Sequence, residues 1–250
     1  MAAETENMAP SGFNEIRYGN SRLDGHEFLG NDRMRIMLEL VRNLVRTGEA
    51  KRILDVGCTD GFMSMLFKEM GLYTIGVDAS ASAVASAQGR CDEAYVANLD
   101  GQPLPLPDAG VDLIWAGEII EHIFSTEHFL QELFRVSAPG GRLIISTPNL
   151  ASWLNRLIFP FGLQPFFTET GVQPSNSGNF LRNVSMPAGH IRNFTMSALR
   201  HLLSGCGWTI EKAHGASILE KRSVKWLDLA VSHAFPDLAT DLILVCRKPV

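Results

Sequence analysis

Apolar positions along this chain alternate between two spacings. Between Asp32 and Thr47, the residues Met34, Met37, Leu38, Val41, Leu44 and Val45 fall three or four apart. That spacing predicts a helix with one buried face, and Gly48 follows as its stop. Residues 53–56 read instead as a short buried strand, and after Gly61 the positions Phe62, Leu66 and Met70 return to a four-residue step that Gly71 ends. The pattern repeats with a strand at "YTIGVD" (73–78), an alanine-rich helix at "ASAVASAQ" and a third strand at "EAYVAN" (93–98). "PLPLPDAG" is stiffened by its prolines and reads as a loop before a fourth strand, 111–116. Ser125 or Thr126 is placed to cap a helix with the stripe Phe129, Leu130, Leu133 and Phe134, and "PGG" then turns the chain into a fifth strand, "RLIIS". Strands alternating with helices across 51–146 predict right-handed crossovers and a parallel sheet covered on both faces.

From Pro148 to about His190 the period is lost among Pro, Gly, Asn, Ser and aromatic residues, as in "FPFGLQPFF" and "GVQPSNSGN". A long irregular stretch in a compact domain is characteristic of a lid or binding loop. Order returns in a capped, Gly-stopped helix, "TMSALRHLLSGCG", and two strands, "WTIEKAH" and "TDLILVCRK". With no linker or internal repeat, the expectation is one α/β domain over 1–250. Its parts are a helical N-terminal cover (1–50), a core (51–147), a lid insertion (148–190) and a C-terminal helix with two strands (191–250).

Composition narrows the class. In 250 residues, 46% hydrophobic and 20% charged content fits a globular domain and excludes wholesale disorder. No apolar run approaches a membrane span. The start, "MAAETENMAP", has neither a basic nor an apolar leader region, so the expectation is a cytosolic protein with no membrane partner. Cys58, Cys91, Cys206 and Cys246 lack the paired spacing of zinc or redox motifs and read as free thiols. "NVS" and "NFT" match the glycosylation pattern but need a secreted chain, so both are read as accidental. A net charge of -5 argues against nucleic acid held by counterion release.

The chemistry concentrates in "ILDVGCTDG", residues 53–61, the turn after the first strand, where open α/β sheets hold nucleotides. Gly57 and Gly61 let the backbone approach a ligand, and Asp78, about twenty residues on, ends the second strand where a carboxylate accepts from both ribose hydroxyls. The pair suggests an adenosine ligand. A dinucleotide wants G-x-G-x-x-G, whose glycines are absent, and Asp60 at the helix start would repel its phosphates. S-adenosylmethionine carries an amino-acid tail and a sulfonium instead. A tight strand-to-helix turn without a ligand also satisfies the two glycines alone.

Several motifs in order decide further. "ILDVGCTDG", "GVDAS", "PLPLPDAGVDLIWAGEIIEH" and "FLQELFRVSAPGGRLIISTPN" resemble the successive signatures of class I S-adenosylmethionine-dependent methyltransferases. "GHIRNFTMSALRHLLSGCGW" resembles the helix after the lid in many bacterial members. The resemblance implies a three-layer, Rossmann-like sandwich whose seven-stranded, mostly parallel sheet ends in an antiparallel hairpin, with S-adenosyl-L-methionine as cofactor. It implies that Asp55 and Gly57 shape the methionine pocket, that Asp78 holds the ribose, that Asn98 and Leu99 border the adenine, and that Cys58, Gly61, Ala79 and Ala116 also belong to the cofactor site. Thr59 stands where the family usually has its middle glycine, and Asn98 where an aspartate is common.

His122 and His190 are the candidate bases for a hydroxyl acceptor, because imidazole titrates near neutrality. Each reads equally as a brace for the turn or the lid. Glu118, Glu121 and His122 form E-x-x-E-H, similar to a pattern in ubiquinone-pathway O-methyltransferases, some of which use a divalent ion; the structural reading is preferred and no metal is assigned. Trp153, Phe159, Phe161, Phe166 and Phe167 either line an acceptor pocket or pack the lid. "STPNLASWLNRLIFPFGLQPFF" resembles a stretch in bacterial surface-polysaccharide and natural-product methyltransferases, which points to a small-molecule hydroxyl. The fourth strand ends in "AGEI", unlike the Asn/Asp-Pro-Pro-aromatic motif of nucleic-acid amino methyltransferases. Nitrogen or carbon acceptors, and a non-enzymatic cofactor-binding subunit, remain the competing readings; an NAD-dependent oxidoreductase is a poor third.

Overall fold

The computed structural model describes residues 31–171, 189–218 and 222–250, with the side chains of 222 and 223 left out. Seven strands form one sheet in the order β3-β2-β1-β4-β5-β7-β6. They are β1 (Arg52–Val56), β2 (Tyr73–Asp78), β3 (Glu93–Val96), β4 (Val111–Gly117), β5 (Ser137–Pro148), β6 (Thr209–Ala216) and β7 (Asp241–Arg247). The first five pair in parallel, while β7 runs antiparallel to both β5 and β6. Crossover helices explain the parallel part: α1 (Asp32–Arg46) leads in, followed by α2 (Phe62–Glu69), α3 (Ala81–Ala87) and α4 (Thr126–Val136).

Burial on both faces follows from a strict period of two. Leu54, Ile114, Leu143, Ile145, Leu242 and Leu244 point into one core with Phe129, Leu130 and Leu133 of α4. Their neighbours Ile53, Leu113, Ile144, Ile243 and Val245 point into the other, with Met34, Met37 and Val41 of α1 and Phe67 of α2. Phe67 meets Trp115 edge-to-face, ring centroids 5.2 Å apart. Helix starts are fixed by side-chain caps: Asn31 Oδ1 accepts from the Arg33 amide, Ser80 Oγ from Ala83, and Thr195 Oγ1 from Ala198 at the head of α6 (Met196–Gly205). Ser125 occupies the cap position of α4 without capping it; Asp100 Oδ1 accepts the Phe124 and Ser125 amides instead.

Four expectations need correction. The fifth strand begins at Ser137, not after "PGG": the register against β4 jumps between Val111↔Ser137 and Leu113↔Arg142, so Pro139-Gly140-Gly141 lies within the strand at an irregularity. The third strand stops at Val96, short of Asn98. The stretch read as irregular contains α5 (Trp153–Ile158), capped by Ser152, and a 3₁₀ turn, Phe159–Phe161. The last two strands are antiparallel neighbours but not a hairpin, because α7 (Arg222–Ala234) separates them. The N-terminal cover before Asn31 and the middle of the lid lie outside the described residues. No helix among the described residues is long and apolar enough to cross a membrane.

Candidate active site

Parallel pairing brings the carboxyl ends of β1 to β4 to one edge of the sheet. β1 breaks there into a turn in which Gly57, Thr59 and Gly61 take φ of 73°, 48° and 77°. Angle favours glycine at two of the three, and at position 61 the space is tight as well. A Cβ at position 57 would stand 2.6 Å from Ile119 Cδ1, and one at 61 would stand 3.0 Å from the Ala87 backbone. The Gly57 and Cys58 amides both donate to the Val77 carbonyl, at 2.8 and 3.0 Å. Asp78, at the end of β2, accepts from the Thr59 amide at 3.0 Å and the Ser80 amide at 2.9 Å. Burial pushes its carboxyl up, against those two donors. A carboxylate oxygen accepts more than one hydrogen bond, so Asp78 still offers the pair of acceptors that a vicinal diol needs.

Other candidate residues are placed differently. Asp55 is buried and accepts from Ser64 Oγ at 2.6 Å, so it latches α2 to β1; burial pushes its carboxyl up to about 7. Cys58 turns its side chain beneath β2, away from the open edge. Ala79 sits half-buried beside Asp78. Asn98 is exposed beyond β3 and its Oδ1 accepts the Asp100 amide at 3.0 Å, while the Leu99 side chain joins the core. Ala116 is fully buried with its methyl in the same core. The open edge therefore gathers Gly57, Gly61, Asp78 and Ala79, with Asn98 at its margin; the side chains of Asp55, Cys58, Leu99 and Ala116 support it from inside.

A second centre adjoins the first through the Ile119 contact with Gly57. After β4, Glu118 takes a left-handed φ of 55°, and a 3₁₀ turn, Ile120–His122, follows. Glu118 Oε1 accepts from Ser146 Oγ at 3.0 Å, and Oε2 pairs with Arg33 Nη1 at 2.7 Å. The same guanidinium nitrogen pairs with Asp241 Oδ2 at 2.9 Å, tying α1, β4 and β7 together. Glu121 faces elsewhere: its Oε2 accepts from Thr147 Oγ1 at 3.0 Å, and its buried Oε1 has no hydrogen-bond partner among the described residues. Burial, and then the charge of Glu118, pushes this carboxyl well above the carboxylate range. The E-x-x-E-H run is thus split between a structural latch at Glu118 and a largely buried cluster around Glu121.

His190 reaches that cluster because the segment 189–192 docks by backbone bonds. The Ile191 and Arg192 amides donate to the Glu121 carbonyl at 2.9 and 3.0 Å. The His122 and His190 rings then lie 5.0 Å apart, with Nε2 atoms 4.0 and 3.9 Å from Glu121 Oε1. His122 Nδ1 contacts the Gly189 carbonyl at 3.2 Å and His190 Nδ1 the Phe167 carbonyl at 3.0 Å. A carbonyl oxygen only accepts, so both rings carry hydrogen on Nδ1 and Nε2 is the basic nitrogen. One ligand atom from each of Glu121, His122 and His190 lies within 4.8 Å of the others, so a cation at this place would take those three and not Glu118. Among the aromatics, Phe167 stacks toward His190 at 6.0 Å, Trp153 donates to Asp228 Oδ1 at 2.7 Å as a brace to α7, and Phe159 and Phe161 face solvent. Sequence reasoning missed Arg33, Asp241 and Thr147; each is polar inside an apolar pattern and gains meaning only from its partners in space.

Residues 54–145 match the family model described as a methyltransferase domain. The sheet order β3-β2-β1-β4-β5-β7-β6 agrees with that match. Residues 54–145 form a methyltransferase domain of the class I S-adenosylmethionine-dependent type. Its cofactor is S-adenosylmethionine. A Mycolicibacterium smegmatis protein named as a probable S-adenosylmethionine-dependent methyltransferase is 29% identical over 172 residues, spanning 67% of this chain and 57% of that protein. The match thus covers a little over half the length of that relative. Chloroplastic tocopherol O-methyltransferase of Arabidopsis thaliana is 38% identical over 104 residues, 39% of this chain and 30% of its own. N-methyltransferase NodS from Bradyrhizobium japonicum WM9, solved with S-adenosyl-L-homocysteine, superposes with a TM-score of 0.60 over 97% of this methyltransferase chain and all of that one, at 12% identity, which shows a shared fold.

Proposed function

We propose that this methyltransferase transfers the methyl group of S-adenosylmethionine to a hydroxyl of a small molecule, a sugar or natural product. The observation that carries the reading is the convergence of two imidazole Nε2 atoms on Glu121 Oε1, on the segment whose Ile119 touches the cofactor turn. S-adenosylmethionine supplies a methyl on a good leaving group, so the protein's task is alignment and exclusion of water. Gly57 and Gly61 give the backbone room for the amino-acid end, and Asp78 holds the ribose hydroxyls. Asn98 and Leu99 border the adenine. An acceptor hydroxyl presented to His122 or His190 gives its proton to Nε2 as the new oxygen–carbon bond forms. The oxygen-methylating tocopherol relative supports the choice of acceptor atom.

The test is methyl transfer from labelled S-adenosylmethionine to a panel of sugars, phenols and amines, with wild type, His122→Gln and His190→Gln. The expected result is oxygen methylation that falls roughly 10²–10⁴-fold in at least one variant, with S-adenosylhomocysteine affinity unchanged. Methylation of amines only, or histidine variants as active as wild type, would overturn the reading. The proposal needs no metal: activity should survive chelation, and activity lost to EDTA and restored by Mn²⁺ would replace the base with a cation held by Glu121, His122 and His190.

A further inference from the structure

Two thiols meet beneath the cofactor turn. Gly76 lies mid-strand in β2, flanked by Asp55 of β1 and Ala94 of β3. Because it has no side chain, the space over it is filled from both sides. A Cβ on Gly76 would stand 2.8 Å from Cys58 Sγ and 2.9 Å from Cys91 Sγ. The two sulfurs thus flank the same point over Gly76, and with Ala87 the two cysteines form a small buried cluster separate from the two main cores. Cys91 belongs to the segment that already grips the turn. Arg90 Nη1 donates to the Asp60 carbonyl at 2.9 Å and pairs with its carboxylate at 2.6 Å, and Gly61 packs against Ala87.

The two thiols differ in readiness. The neighbouring Cys58 thiol, helped by Ser64 and the charge of Lys68 and opposed by burial and the charge of Asp92, lowers Cys91 to about 7. The Cys91 thiol, and then burial, raises Cys58. A thiolate beside a thiol is the arrangement of a nucleophile with its resolving partner. Cys91 also closes the exposed stretch 88–90, which gives a small oxidant the shorter approach.

We propose that Cys58 and Cys91 form a redox modification site, at which a peroxide-class oxidant makes a disulfide that withdraws the cofactor turn from its binding geometry. The chemistry balances. The Cys91 thiolate attacks the peroxide oxygen–oxygen bond, giving a sulfenic acid and, after protonation of the leaving hydroxide, one water. The Cys58 thiol then displaces the sulfenic oxygen as a second water. The two thiols together lose two electrons, and the peroxide gains them. A disulfide bond of about 2.05 Å is far shorter than any contact between two thiols, so the two sulfurs must draw together, and the part of that movement taken by Cys58 is passed to the turn. The first bonds disturbed are those from the Gly57 and Cys58 amides to Val77 and from the Thr59 amide to Asp78. This inference rests on the reading that turn 57–61 and Asp78 hold S-adenosylmethionine.

The experiment treats reduced protein with hydrogen peroxide, alkylates the remaining thiols, maps linked peptides by mass and titrates S-adenosylhomocysteine by calorimetry in parallel. The expected result is a Cys58–Cys91 linked peptide lighter by two hydrogens, a fall in affinity of about tenfold or more, and recovery with dithiothreitol. Cys91→Ala should bind like reduced wild type before and after peroxide; Cys91→Ser serves the same end should the alanine variant fail to fold. Absence of the linked peptide, or its presence with unchanged affinity, overturns the proposal. Reduced wild type that does not bind S-adenosylhomocysteine overturns the cofactor assignment and the switch together. The mass map still reports separately whether the thiols join.

Discussion

Replacing Arg33 by Met removes the cation that serves two carboxylates at once while keeping the apolar stem. Asp241 has a fully buried side chain, Glu118 one that is 25% exposed, and the Arg33 side chain is 13% exposed. Breaking a buried pair by deleting one partner leaves an uncompensated charge and costs roughly 3–5 kcal/mol. For a domain of this size about 2–4 °C follows per kcal/mol, so the melting temperature should drop by roughly 6–20 °C. The sign of the pH dependence is fixed by Asp241. Burial, and then the charge of Glu118, raises its carboxyl to about 7 against the pull of Arg33. Its proton therefore contributes stability that is fully present below the unfolded carboxylate range and is lost as pH rises through about 7. Without Arg33 the group rises further, and above neutrality the variant must either hold that proton or bury a bare charge. Thermal unfolding followed by circular dichroism at pH 6 and pH 8.5 should thus show the larger deficit at the higher pH. Adding Asp241→Asn to Arg33→Met should recover part of it there. An equal drop at both pH values, or one below about 1 kcal/mol, would refute the reasoning, because even a surface ion pair reaches that size.

Two further perturbations test the geometry around the cofactor turn. Gly57→Ala must hold a side chain at φ 73° and displace Ile119 Cδ1, 2.6 Å away; it should cost about 1–2 kcal/mol for the backbone alone and weaken S-adenosylhomocysteine, checked by denaturant unfolding and calorimetry. Gly76→Ala presses on both sulfurs and should destabilise by about 1–3 kcal/mol, while the Gly76→Ala/Cys91→Ala double variant should lose less than the sum, a coupling that a two-by-two unfolding cycle measures directly.

How far the sequence could be read depended on where polar groups face. The alternating strands were legible because apolar residues point inward on both faces of the sheet, and the turn because two glycines there need positive φ. α7 was not legible, and its side chains explain why. Asp228 and Ser232 point inward with no exposure, while Trp226 is 67% exposed. Asp228 is held inside by Trp153, Ser217 and Thr240, so polar bonding replaces the apolar stripe that a periodicity search seeks. At the site, E-x-x-E-H looked like one unit in sequence. The left-handed backbone at Glu118 sends that carboxylate to Arg33, and backbone bonds bring His190 into the place beside Glu121. Cys58 and Cys91 likewise read as unrelated thiols, since only the missing side chain of Gly76 lets them meet.

In the proposed function, turn 57–61 and Asp78 hold S-adenosylmethionine. Calorimetric titration of reduced protein with S-adenosylhomocysteine tests it most directly, beside Asp78→Ala shown to be folded and NADH as a control ligand. The account predicts binding by wild type, no response to NADH, and a loss in the variant of roughly tenfold to hundredfold, as expected for removing hydrogen bonds to a charged group worth about 1.5–3 kcal/mol. Wild type that ignores S-adenosylhomocysteine at millimolar concentration, or a variant that binds it as tightly as wild type, would contradict the account.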